Sequence, residues 1–73
     1  MTTAEMKARN LISQQSTEAL LDHWELTTYI NDEHIPMVRG WLMDEFEKRN
    51  PEAFNRWLDS YEEDDALRKY ITA

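Results

Sequence analysis

Cysteine is absent from this 73-residue chain, which excludes a disulfide framework and a zinc site built on thiolates. Glycine and valine each occur once. A phosphate-cradling glycine loop and a glycine-flanked nucleophilic serine are therefore missing, as are the alternating β-branched runs that mark strands. No apolar stretch approaches the roughly 20 residues of a membrane span, and Met1-Thr2-Thr3-Ala4-Glu5 lacks the basic start and apolar run of a signal peptide. Together these absences predict an all-α protein of the cytoplasm, with no membrane partner. Basic charge is scarce as well: eight Lys and Arg stand against fifteen Asp and Glu, for a net charge of −7. That balance repels nucleic acid and anionic lipid and suits a basic partner, although solubility alone also accounts for it.

What the chain does have is one tryptophan in each of three successive helical patterns: Trp24 after Leu20 and Leu21, Trp41 before Leu42 and Phe46, and Trp57 between Phe54 and Tyr61. A domain of this size buries a core worth only a few kcal/mol of net stability, so large aromatics or a partner must contribute. The expected architecture is a single domain over 1–73, a compact bundle of four to five short helices. Residues 1–15 form a weak N-terminal helix and 16–73 the main bundle.

Caps and prolines punctuate it. A first helix begins after Thr2 or Thr3, with Glu5 placed to close a capping box and Ala4, Ala8, Leu11 and Ile12 at helical spacing. Ser16 or Thr17 caps a second, in which Leu20, Trp24 and Thr27 form a line beside Ala19, Leu26 and Ile30, with Glu18, Asp22 and Glu25 outside. Asn31 to His34 reads as a turn, and Pro36 fits the first turn of a third helix that runs to about Arg49. Asn50 as N-cap, Pro51 at the first helical position and Glu52 open a fourth, whose stripe is Phe54, Trp57, Leu58 and Tyr61. Continuing that phase would bury Asp65 and Arg68, so the helix must break near Glu62 to Asp64, and a last short helix starts at Asp64 or Asp65.

Six basic residues have a carboxylate four positions earlier: Glu5 with Arg9, Asp44 with Lys48, Glu45 with Arg49, Glu52 with Arg56, Asp64 with Arg68, and Asp65 with Lys69. On an exposed helix each such pair is worth about 0.2–0.5 kcal/mol. Lys7 and Arg39 are left over. Arg39 is read either as a tertiary ion pair with a neighbouring acid such as Asp32 or as a contact to a partner carboxylate.

On the third helix Ile35, Val38, Leu42 and Phe46 mark one stripe, with Met37 and Trp41 on one flank and Met43 on the other. One stripe does not hold them all. Either the helix is central and contacted from several sides, or it displays a Trp and Met patch of the kind interfaces favour. Gly40, mid-helix, costs about 1 kcal/mol relative to Ala, which a close backbone approach or a bend would offset, unless it is simply an exposed neutral position. Met37, Arg39, Gly40 and Trp41 are accordingly the candidate partner-binding residues.

No catalytic set emerges, so no enzyme activity, cofactor or metal is expected. His23 sits at the edge of the second helix's apolar stripe, and the adjacent Asp32, Glu33 and His34 lack the shared helical face of H-E-x-x-H ligands. Glu62 to Asp65 lacks the alternating ligands and glycine of an EF-hand.

The stretch Val38-Arg39-Gly40-Trp41-Leu42-Met43-Asp44-Glu45, followed by Asn50-Pro51-Glu52-Ala53-Phe54 and Trp57-Leu58-Asp59, resembles small uncharacterised proteins carried by bacterial phages and mobile elements. The resemblance covers the last two thirds of the chain. It implies a bacterial cytoplasm and a protein that modulates a host factor, and it carries no functional residue with it.

The function expected is protein binding through helix surfaces, with a basic protein or a second copy as partner. The alternative is an acidic mimic of nucleic acid that inhibits a basic host protein. A second alternative, a small DNA-binding regulator, is disfavoured because its reading helix would offer Arg39 among Asp44, Glu45 and Glu47.

Overall fold

The computed structural model describes residues 3–72. Within them the chain forms α1 (Thr3–Gln14), α2 (Thr17–Thr27), α3 (Ile35–Arg49) and α4 (Pro51–Ser60). A 3₁₀ turn (Asp64–Ala66) then leads directly into α5 (Leu67–Ile71). There is no strand among the described residues, and the fold is an all-α bundle.

The boundaries follow the local chemistry. The Ser16 hydroxyl accepts the Ala19 N–H at 3.1 Å to start α2, and Asn50 Oδ1 accepts the Ala53 N–H at 3.2 Å to start α4, with Pro51 behind it. The Asp32 carboxylate accepts the His34 N–H at 2.8 Å and so shapes the turn before α3. Tyr61 ends α4 in the left-handed region at φ 58°, a conformation that frees the chain to reverse.

The core gathers on α3, which packs against α1, α2 and α4. Of the two readings of its apolar flanks, the central position is observed, and Met37 on one flank stays exposed beside it. Leu42 and Phe46 of α3 are buried with Leu20, Leu21 and Trp24 of α2, Ala53, Phe54 and Trp57 of α4, and Leu67 of α5. Trp24 is the hub. Its ring meets Phe46 and Trp57 nearly edge-on, with centroids 6.1 and 6.0 Å away, an arrangement worth about 0.5–1.5 kcal/mol per pair beyond the area buried.

Both core tryptophans also hold the acidic segment. The Trp24 indole N–H donates to the Asp64 carbonyl at 2.8 Å and the Trp57 indole N–H to the Glu63 carbonyl at 3.1 Å. A buried indole needs such an acceptor, and here the acceptors fix the link between α4 and α5.

Several expectations need correction. Leu58 and Tyr61, assigned to the α4 stripe, are exposed, Tyr61 because its left-handed backbone carries the side chain off the helix. Three of the six local ion pairs are replaced by tertiary ones. Arg68 binds Glu18, Asp22 and Glu25 of α2 instead of Asp64. Lys69 binds Glu62, while Asp65 accepts the Thr28 hydroxyl. The physical reason is that Asp64 and Asp65 lie in the 3₁₀ turn, where four-residue spacing no longer places two side chains on one face. Asp44 turns to Arg9 of α1 at 3.0 Å rather than to Lys48. The pairs Glu5–Arg9, Glu45–Arg49 and Glu52–Arg56 form as expected.

Candidate partner-binding surface

α1 has no buried residue. Its half-buried Ile12 packs on the core, and polar attachment comes from Arg49, whose guanidinium donates to the carbonyls of Ser13 at 3.2 Å and Gln15 at 2.7 Å and more weakly to that of Ile12, and also reaches Thr17 Oγ1. Those carbonyls belong to the last turn and exit of α1, where the helix leaves carbonyls short of partners; that of Ile12 also accepts the Gln15 N–H at 3.2 Å. At the other end Arg9 bridges Glu5 and Asp44. Its guanidinium pKa is raised above the ordinary arginine value, chiefly by the hydrogen bond to Asp44.

Held in this way, α1 and α2 each pack on α3 but scarcely on one another. The gap between them is an apolar groove of about 340 Å³ with Val38, Trp41 and Leu42 of α3 along it. Ala8, Leu11 and Ile12 of α1, Leu20 and Leu26 of α2, and Ile30 of the turn that follows α2 supply the sides. The remaining lining residues are Gln15, His23 and Thr27, with no Lys, Arg, Asp or Glu among them. Leu11, Leu26 and Ile30 are respectively 60%, 56% and 43% exposed, so the groove opens to solvent.

Trp41 is the residue that links this groove to the sequence. It is half-buried and lines the apolar groove as well as a more polar cavity of about 310 Å³ shared with Arg9, Asn10, Asp44 and Lys48. Among the described residues its indole N–H, unlike those of Trp24 and Trp57, has no hydrogen-bond partner. Met37, one turn before Trp41, is 50% exposed.

Arg39 and Gly40 are placed differently. The Arg39 guanidinium stacks 3.8 Å from the Trp24 ring centroid, donates to the Thr27 hydroxyl and the Trp24 carbonyl, and pairs with Asp64 at 2.6 Å. The tertiary ion pair expected for it therefore exists, with Asp64 in place of Asp32. A Cβ built on Gly40 would meet nothing within 4 Å, so no close backbone approach explains this glycine.

Sequence reasoning had placed Leu26 and Ile30 beside the α2 stripe and Leu11 on the α1 stripe, but it did not bring them together. The available signal was the breadth of the apolar arc on α2, where Leu26 stands apart from the line of Leu20 and Trp24, wider than one neighbouring helix covers; Ile30, expected on the same helix, lies in the turn after Thr27 instead.

Among the described residues no group of three His, Asp or Glu is arranged to hold a metal ion, and no helix is long and apolar enough to cross a membrane. Compared with models of protein families, with curated proteins and with solved structures, the chain matches none of them.

Proposed function

We propose that this chain is a protein-binding module whose working surface is the groove between α1, α2 and α3, with Trp41 in its wall and the exposed Met37 one turn before it on α3. The observation that carries the reading is the open apolar lining, in which Leu11, Leu26 and Ile30 remain exposed around a Trp with an unused indole N–H. Apolar clefts with a few polar groups are where proteins take up ligands, and Trp and Met are favoured at interfaces. On this reading the chain works inside a bacterial cell on a host protein, in keeping with its resemblance to proteins of mobile elements.

The acidic-mimic alternative has less support. The most concentrated acids of the helical faces, Glu18, Asp22 and Glu25, direct their charge at Arg68, whose pKa is raised chiefly by the hydrogen bond to Glu25. DNA binding has less support still, because Arg39 and Arg49 are bound within the chain.

The test is affinity capture from bacterial extract with the wild-type chain and with Leu26→Glu, both checked for helicity and size. The reading expects a partner retained by the wild type and lost by the variant. Identical capture profiles for the two chains overturn it.

A further inference from the structure

The groove also indicates what it takes, an inference that rests on the protein-binding reading. We infer that its occupant is the apolar face of a basic amphipathic helix belonging to another protein. A gap between two helices over a third is the setting in which a further helix lays one stripe of side chains, the helix-in-groove mode of recognition. The lining carries no charged residue, so the part of the occupant that enters must be apolar.

Charge selects the rest. Asp22, one turn before Leu26, is exposed and shares the single guanidinium of Arg68 with Glu18 and Glu25, three carboxylates against one cation, so negative charge is left over along α2. Asp32 and Glu33, which follow Ile30, are exposed as well. The acidic flank of the groove therefore runs along α2 and its turn, while the α1 side contributes Lys7, one turn before Leu11. A helix with lysines or arginines facing α2 meets carboxylates there. A second copy of this chain would instead bring two bodies of net charge −7 together, a repulsion that opposes self-association.

The experiment titrates a fluorescently labelled peptide of leucine and lysine at helical spacing into the full chain, beside a peptide with the same leucines and glutamate for lysine. The lysine peptide binds, and the glutamate peptide binds at least about tenfold more weakly. Leu26→Glu is the decisive variant because it adds negative charge while spoiling the apolar wall. Groove binding predicts at least about a tenfold loss for the lysine peptide, whereas attraction by charge alone predicts tighter binding. Leu11→Glu repeats the test from the α1 side.

Unchanged or tighter binding by both variants overturns the inference. So does concentration-dependent dimerisation of the wild type that Leu26→Glu abolishes, since the occupant is then a second copy. If captured protein is lost with Leu26→Glu but the lysine peptide fails to bind, the helix assignment falls and the protein-binding reading stands.

Discussion

Gly40 and Tyr61 are both placed against backbone preference. Gly40 sits inside α3 with open space where a side chain would project, so Gly40→Ala should raise stability by about 0.5–1 kcal/mol, read as a later urea midpoint with an unchanged slope. Tyr61 holds a left-handed conformation that costs a residue with a Cβ about 1–2 kcal/mol. Because it is 95% exposed, Tyr61→Gly should stabilise by a few tenths to about 1 kcal/mol after the greater flexibility of unfolded glycine is counted. Arg39 is the opposite case. Its guanidinium serves Thr27, Trp24 and Asp64 at once, so Arg39→Ala should destabilise by about 2 kcal/mol and Arg39→Lys should recover less than half of that, because an ammonium lacks the planar fork. Arg39 was visible in the sequence, with Lys7, as a cation without an acid four positions earlier. Its partner was not, since Asp64 is 25 residues away and sits in a segment that the Trp24 and Trp57 indoles hold.

At the scale of elements, the helices were legible because each carries its own start signal: Ser16, Asn50 and Pro51 act on neighbours within a single turn. The linkage between α4 and α5 was not, because what fixes it comes from Trp24 and Trp57, whose N–H groups reach carbonyls that no sequence pattern marks. Glu62 in that link accepts from Lys69 at 2.7 Å and from the Tyr70 hydroxyl. The Lys69 bond, and after it the Tyr70 bond, hold the Glu62 carboxyl below the usual glutamate value. With the folded pKa lowered, this contact's contribution to stability is fully present above the ordinary glutamate value and is lost as pH falls through the lowered one. A carboxyl NMR titration should place the Glu62 midpoint below that of an unstructured glutamate, and Lys69→Ala should move it upward. α1 is the element held least by burial. Arg49→Ala should speed amide exchange through α1 while leaving α3 and α4 protected, since α1 has no buried side chain to retain it.

At the scale of the whole molecule, the three tryptophans divide the chain into what it needs to fold and what it leaves open. Trp24 and Trp57 read as core from their stripes and are core. Trp41 read as off-stripe, and it lies half-buried in the wall of a groove that exists because α1 closes on α3 and not on α2. Helical periodicity reports which side of each helix is apolar but not whether two such sides meet, which is why the groove as a unit was invisible in the sequence. The excess negative charge is a property of the same scale. A partner that docks by an apolar stripe between basic flanks should bind with only moderate salt dependence, weaker at high ionic strength but not abolished, whereas a purely electrostatic complex should vanish.

The most direct measurement follows the indole N–H resonances of the three tryptophans while the unlabelled leucine and lysine peptide is added to isotope-labelled chain. The account predicts that the Trp41 resonance moves with saturation, while those of Trp24 and Trp57, bonded to Asp64 and Glu63 inside the fold, stay in place. An unmoved Trp41 resonance at peptide concentrations that saturate binding would contradict it.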